Sequence, residues 1–204
     1  MQVEELDSAW DQTHEEISTH SDEVRRIIEM AGLDGPSRVL DLACGTGKHL
    51  IEFAELGHTC RGNDALEWKI KKAIAHSSLL GLDIQFSCGD LRSFEPAEKY
   101  DLVICLYAMS CLSSDGDFLA ALSTARKAIQ GNGKFIFDVL NNEAYELSRP
   151  AGFEEAIGTG YLRFFSIEEI ETFTVQAGLK IEQTRYFDLL GTKDLDMFVR
   201  VEQR

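Results

Sequence analysis

The segment DLACGTGKHL, residues 41–50, joins an acidic residue to a glycine-rich turn and a lysine, so that three kinds of ligand could bind it. A triphosphate loop requires GxxxxGK followed by Ser or Thr. Here Leu42 stands at the first glycine and His49 at the hydroxyl residue, which excludes a triphosphate. A dinucleotide turn requires a third glycine where this chain has Leu50, and the Asp41 carboxylate would repel a pyrophosphate. The segment therefore favours a positively charged group, such as an ammonium or a sulfonium.

The same turn resembles the first motif of the class I S-adenosylmethionine-dependent methyltransferases, D/E-x-G-x-G-x-G. The motif begins at Asp41, and Ala43 replaces its first glycine. This small-for-small change still lets the methionyl group of a cofactor approach the backbone. The resemblance implies S-adenosyl-L-methionine as the cofactor, bound by Asp41 and by the turn residues Ala43, Cys44, Gly45 and Gly47.

Two further acidic residues follow predicted strands. Asp64 ends the strand HTCRGND, 23 residues after Asp41, and Asp90 lies in CGDL after the third strand. The resemblance implies that Asp64, next to Ala65, accepts hydrogen bonds from the ribose hydroxyls. It also implies that Asp90 accepts from the adenine amino group and that Leu91 contributes a backbone N–H. Each acid alone could be a turn former or a helix cap, but three at successive strand ends favour a cofactor site.

The acceptor side of the site is less defined by the sequence. Leu106 and Tyr107 end the fourth strand, which flanks the transferred methyl group in the family. The N/D-P-P-Y/F motif of enzymes that methylate amino groups of nucleic acids is absent there. Tyr107 and the N-terminal His14 are the catalytic candidates, with a core tyrosine and a solvated helix histidine as the alternatives. We expect catalysis mainly by alignment, because methyl transfer needs a base only when the acceptor arrives protonated.

Short β-rich runs alternate with helical patterns along the chain. This alternation predicts a doubly wound, mostly parallel seven-stranded α/β sheet with helices on both faces. The short connection LLGTKD predicts a hairpin and therefore an antiparallel last strand. A capping-box pattern at Ser166 and Glu169 predicts the start of the last helix. The predicted strands cover 37–43, 58–64, 84–88, 100–108, 133–140, 179–188 and 194–203, with helices over 46–56 and 117–129 among those between them.

The expected organisation is a single methyltransferase domain over residues 1–204. Residues 1–35 form an N-terminal helical cap, and residues 36–140 form the cofactor-binding core. Residues 141–165 are a loop-rich insertion on the substrate side, with a simple surface connection as the alternative. Residues 166–204 supply the last helix and the two-strand hairpin.

Composition limits the partners. The 35 acidic residues against 20 basic ones give a formal net charge of −15, which disfavours nucleic acid as a partner. No segment reaches the roughly 20 apolar residues needed to cross a membrane, and the polar, acidic N-terminus is unlike a signal peptide. The five cysteines form no CxxC pair or Cys/His cluster, so we expect no metal site, no disulfide framework and a cytoplasmic location.

Together these observations predict methyl transfer from S-adenosylmethionine to a nitrogen or oxygen atom of a small molecule. A non-catalytic cofactor-binding or partner-binding domain of the same fold is the first alternative. An NAD-dependent oxidoreductase is the second. Neither the oligomeric state nor the acceptor is indicated by any pattern in the chain.

Overall fold

The structure, a computed structural model, describes residues 20–148, 162–187 and 196–204. Its helices are α1 (His20–Ala31), α2 (Lys48–Glu55), α3 (Glu67–Leu79), α4 (Asp115–Ala128), α5 (Asn142–Ser148) and α6 (Ile167–Gln176). Its strands are β1 (Arg38–Asp41), β2 (Thr59–Asp64), β3 (Gln85–Cys88), β4 (Tyr100–Cys105), β5 (Ile129–Asn141), β6 (Phe164–Phe165), β7 (Leu179–Phe187) and β8 (Asp196–Gln203).

All the strands join one sheet in the order β3-β2-β1-β4-β5-β8-β7, with β6 paired to the end of β5. The pairs among β1 to β5 are parallel, whereas β8 runs antiparallel to both β5 and β7. The doubly wound α/β sheet and the antiparallel last strand are therefore confirmed. The short strand β6 is an addition to the seven expected strands. The strand order reverses at β1, with β2 and β3 on one side of it and β4 and β5 on the other. Ligands of such sheets bind in the crevice at this switch point.

Alternate residues of the central strands enter two separate cores, because successive side chains of a strand point to opposite faces. Val39 of β1 and Ile136 of β5 lie in the core under α1 and α2, whereas Leu40 and Phe135 lie in the core under α4 and α6. The helices complete these cores with Val24, Ile27, Leu50 and Phe53 on the first face and Phe118, Leu122, Ile170 and Phe173 on the second.

Two helix starts show how the sequence sets the boundaries. The capping box of α6 is present: the Glu169 N–H donates to Ser166 Oγ at 3.2 Å, and the Ser166 N–H donates to Glu169 Oε2 at 2.9 Å. Helix α4 begins two residues before the predicted position 117, because the Ser114 hydroxyl oxygen accepts from the Asp117 N–H and caps the earlier turn.

The stretch 141–165, predicted as loop-rich, contains regular structure at both ends. Helix α5 follows β5 directly, and the Asn141 side chain accepts from the Glu143 N–H at 3.1 Å, which favours a helix start there. Residues 149–161 lie outside the described residues, as do residues 188–195 with the predicted hairpin turn.

The N-terminal region is described from His20 onward. Helix α1 packs against α2 and β5, so that part of the expected helical cap is a helix on the sheet. The catalytic candidate His14 lies outside the described residues.

Candidate functional site

The glycine turn between β1 and α2 has the backbone geometry that only glycine adopts easily. Gly45 and Gly47 have φ angles of +52° and +82°, in the left-handed region. A Cβ on Gly47 would also lie 3.1 Å from the Ala73 Cβ and 3.2 Å from the Phe86 ring. The turn therefore brings the chain from the end of β1 into α2 through a tight, partly buried bend that packs against Ala73 and Phe86.

The turn is also packed tightly against β2. A Cβ on Gly62 would lie 2.7 Å from Cys44 Sγ and 2.8 Å from both the Leu50 and Phe86 side chains. The Cys44 N–H donates to the carbonyl of Asn63 at 3.0 Å. Gly62 thus leaves the space in which Cys44 and Leu50 pack against β2. The sequence prediction did not assign Gly62 to the site.

Asp41, the last residue of β1, is a buried carboxylate at the switch point. Asp41 is only 2 % exposed, and its Oδ1 accepts a hydrogen bond from the Ala43 N–H at 3.2 Å. Burial raises the pKa of Asp41 to about 7, although the positive charge of His49 opposes this effect. A cation placed beside Asp41 would favour its ionised form.

Asp64, the last residue of β2, is 8 % exposed and connects the strand end to the glycine turn. Its Oδ2 accepts from the Gly45 N–H at 2.9 Å, and its Oδ1 accepts from the Leu66 N–H at 2.9 Å. A carboxylate oxygen can accept more than one hydrogen bond, so both atoms retain acceptor capacity. Ala65, next to it, is exposed.

Asp90 lies at the same edge of the sheet but interacts with a partner of its own. The preceding Gly89 N–H donates to the Asp64 carbonyl at 2.9 Å, which holds this loop beside β2. Arg92 Nε donates to both carboxylate oxygens of Asp90 at 2.9 Å, and this interaction lowers the pKa of Asp90. Leu91 packs against the core on the α4 face. The adenine contacts of Asp90 and Leu91 stay predictions.

Lys69 of α3 packs near the glycine turn. It is buried, and its Cδ lies 4.0 Å from where a Cβ on Gly45 would be. Its Nζ lies 5.5 Å from the centroid of the Trp68 ring. The aliphatic part of Lys69 therefore lies beside the glycine turn.

Leu106 and Tyr107 follow β4, and Tyr107 has a strained backbone. Leu106 is buried, whereas Tyr107 has a φ angle of +58° and its N–H donates to Asp138 Oδ1 at 2.6 Å. The Tyr107 hydroxyl donates to Glu23 Oε1. Burial, followed by the charges of Glu23 and Asp138, raises the pKa of Tyr107 far above its usual range, so the phenolate is inaccessible at neutral pH.

Four polar residues that the sequence prediction did not assign to the site lie near Tyr107. Glu23 is 5 % exposed, and its Oε2 lies 3.0 Å from His49 Nε2. The His49 ring stacks on Tyr107 with 6.3 Å between centroids. Burial and the neighbouring Asp196 raise the pKa of Asp138. One of these residues, Asp138, could have been found from the sequence, because it is an acidic residue within the apolar strand GKFIFDVL.

No helix within 20–148, 162–187 or 196–204 has the length and apolar character to cross a bilayer. Across those same ranges no group of three or more His, Cys, Asp or Glu side chains could hold a metal ion.

Comparisons with known proteins address the family. Residues 39–133 match the family model described as a methyltransferase domain. A ubiquinone biosynthesis O-methyltransferase from Rhodopseudomonas palustris is 28 % identical over 104 residues, which are 51 % of this chain and 40 % of that protein. One from Rickettsia canadensis is 24 % identical over 179 residues, 84 % of this chain and 70 % of that protein. The chain spans less than half the length of the first of these relatives.

Solved structures share the fold at low identity. An S-adenosylmethionine-dependent methyltransferase from Clostridium acetobutylicum superimposes with a TM-score of 0.76, at 16 % identity and 98 % coverage of both chains. The magnesium protoporphyrin IX methyltransferase of Synechocystis, solved with bound S-adenosylmethionine, has a TM-score of 0.68 at 17 % identity, covering 91 % of this chain and 80 % of that one. Residues 39–133 thus match a methyltransferase domain, and the chain has the fold of solved S-adenosylmethionine-dependent methyltransferases.

Proposed function

We propose that the protein transfers a methyl group from S-adenosylmethionine to a nitrogen or oxygen atom of a small molecule. The observation that carries the proposal is the buried carboxylate of Asp41 at the switch point of the sheet, beside a left-handed glycine turn. Burying a carboxylate is unfavourable unless a positive charge or hydrogen bonds compensate it. A sulfonium cofactor with an ammonium group supplies that charge, whereas a dinucleotide pyrophosphate would add repulsion.

The residues present fit this cofactor. Asp41 and the backbone from Ala43 to Gly47 would hold the methionyl part, and the remaining acceptor capacity of Asp64 suits two ribose hydroxyls. Asp90, Leu91 and Ala65 would border the adenine. The bound cofactor supplies a methyl group already activated on a sulfonium sulfur. A structural neighbour solved with bound S-adenosylmethionine supports the assignment.

Catalysis by this site is mainly positional. Aligning the acceptor atom, the methyl carbon and the sulfur contributes roughly 7–11 kcal/mol, without any proton transfer by the enzyme. Tyr107 is not a general base, because its phenol stays protonated at neutral pH. Its ring and Leu106 form the wall beside the transferred methyl, and the stretch 141–165 forms the acceptor side. Residues 1–35 act as the cap and 36–140 as the cofactor core of one domain.

The small-molecule character of the acceptor follows from charge. The chain carries a formal net charge of −15, and the carboxylates of Asp64 and Asp90 lie at the ligand end of the sheet. A polyanionic acceptor would be repelled from this edge. The free thiols of Cys44, Cys60, Cys88, Cys105 and Cys111 fit a cytoplasmic location, because structural disulfides persist mainly outside it.

Turnover separates the enzyme from a non-catalytic domain of the same fold. The protein is incubated with methyl-labelled S-adenosylmethionine and a panel of amines, phenols and carboxylates, and S-adenosylhomocysteine is quantified. Acceptor-dependent product supports the proposed function. Tight cofactor binding without turnover on any class of acceptor would favour the binding domain instead.

A further inference from the structure

A polar contact between three separate elements is not used by the positional mechanism. Glu23 of α1, His49 of α2 and Tyr107 after β4 meet on the face of the sheet that α1 covers. The Glu23 carboxylate accepts from both of the others, at Oε2 from His49 and at Oε1 from the Tyr107 hydroxyl. One buried carboxylate thereby joins α1 to two walls of the proposed site.

His49 and Tyr107 lie at different parts of that site. His49 is the second residue of α2, two positions after Gly47, and its side chain is 12 % exposed. Its positive charge acts on the Asp41 carboxylate. Tyr107 would border the methyl-transfer position of the proposed function, and its backbone is held by the hydrogen bond from its N–H to Asp138. Glu23 therefore reaches the cofactor side through His49 and the acceptor side through Tyr107.

Glu23 is not needed to anchor α1. Val24, Ile27 and Met30 bury their side chains under the helix, and Arg200 Nη1 donates to the Met30 carbonyl at 2.5 Å. An apolar residue at position 23 would avoid the desolvation penalty of a buried carboxylate but would take this acceptor away from His49 and from the Tyr107 hydroxyl. A left-handed backbone at a non-glycine residue such as Tyr107 also costs free energy and is concentrated at functional sites.

We propose that Glu23 is a positioning residue of the methyl-transfer site, which fixes the His49 imidazole beside Asp41 and the Tyr107 ring beside the transferred methyl. This inference rests on the proposed function, since the site that it positions is the cofactor site. Glu23 acts through His49 and Tyr107 rather than on the reacting atoms themselves.

The electrostatics of His49 give a signature that a purely structural residue would lack. Burial lowers the pKa of His49, but the hydrogen bond and charge of Glu23, together with Asp41 and Glu52, outweigh it and raise that pKa. The stacked Tyr107 ring adds a neutral neighbour. Removing the charge of Glu23 takes away one of the effects that raise the pKa of His49, whereas burial still lowers it. The imidazole should therefore lose its proton at a lower pH.

Calorimetry with S-adenosylhomocysteine as the probe tests the proposal on the full chain. Glu23→Gln keeps the shape of the side chain and removes its charge, and we expect binding to weaken by at least about tenfold. The matched control is Glu29→Gln on the same helix, where the side chain is 72 % exposed and pairs with Arg185. This control should change the affinity by less than about twofold. In a Tyr107→Phe background, Glu23→Gln should cost clearly less, because the contact of Glu23 with the Tyr107 hydroxyl is already lost.

Imidazole NMR supplies a second readout. The titration midpoint of His49 should fall in Glu23→Gln and stay unchanged in Glu29→Gln. If Glu23→Gln fails to fold, His49→Gln removes the same contact from the other side and should weaken binding of the probe by at least about tenfold. Failure of the wild-type protein to bind S-adenosylhomocysteine would refute the proposed function itself. Two results would refute the role of Glu23 without refuting the proposed function. One is an affinity of Glu23→Gln within about twofold of wild type. The other is an equal loss of affinity on Glu23→Gln in the wild-type and Tyr107→Phe backgrounds.

Discussion

Replacing Asp41 with asparagine should stabilise the ligand-free protein while it weakens binding of the cofactor. The pKa of Asp41 is raised by burial from its ordinary value of 3.8 to about 7. A carboxyl whose pKa is higher in the folded than in the unfolded chain favours folding only while it is protonated. Its contribution is therefore complete below about pH 4 and is lost as the pH rises to about 7.

The magnitude follows from the two pKa values. Their difference of roughly three pH units corresponds to about 4 kcal/mol between the protonated and ionised forms, at about 1.36 kcal/mol per unit. Asparagine cannot ionise, so it avoids this loss at about pH 8 but still buries an amide that needs hydrogen bonds. We expect the gain in the free energy of unfolding at about pH 8 to be a few kcal/mol, with about 4 kcal/mol as its upper limit.

Urea unfolding of the wild type and Asp41→Asn at about pH 5 and about pH 8 measures this difference. The variant should gain stability relative to wild type at the higher pH, and its affinity for S-adenosylmethionine should fall because the compensating carboxylate is gone. Asp83→Asn, at an exposed carboxylate between α3 and β3, is the control and should change neither quantity. A variant with the same pH dependence of stability as wild type would show that Asp41 titrates like an ordinary carboxyl, and the reasoning would be wrong.

Three further predictions concern the ligand, the partner and the base. Asp64→Ala should weaken binding of S-adenosylhomocysteine by roughly 2–3 kcal/mol through the loss of two charge-assisted hydrogen bonds to ribose; an unchanged calorimetric affinity in a folded variant would remove Asp64 from the site. At physiological salt the protein should not retain duplex DNA or tRNA in a gel-shift assay, and submicromolar, salt-sensitive binding would contradict the small-molecule assignment. Tyr107→Phe and His14→Ala should each keep kcat within about tenfold of wild type, since one hydrogen bond is worth on the order of 1 kcal/mol. A loss of kcat above about a thousandfold with intact cofactor affinity would identify the altered residue as a base.

Local patterns were enough to predict the sheet and the glycine turn. Gly47 has a left-handed backbone and lies close to Phe86. Glycine is the residue that tolerates both conditions, so its presence in the sequence indicates a tight turn. The capping box at Ser166 and Glu169 is likewise a short-range signal. These features depend on residues a few positions apart, which a single sequence displays directly.

Contacts between distant residues could not be predicted in this way. Glu23 meets His49 across 26 positions and Tyr107 across 84, so no periodicity links them. The contact of Asp90 with Arg92 is local in sequence, but it depends on the orientation of both side chains, which no sequence pattern specifies. Helix α5 was missed because its start depends on the Asn141 cap, within a stretch of mixed composition.

The most direct test of the central claim is a calorimetric comparison of four ligands on the wild-type protein. S-adenosylmethionine and S-adenosylhomocysteine should each bind at one site per chain, because the carboxylates Asp41 and Asp64 match a cationic methionyl group and a ribose. NAD and ATP should bind at least about a hundredfold more weakly, since their phosphates meet the Asp41 carboxylate. Tight binding of NAD with no binding of S-adenosylhomocysteine would contradict the account.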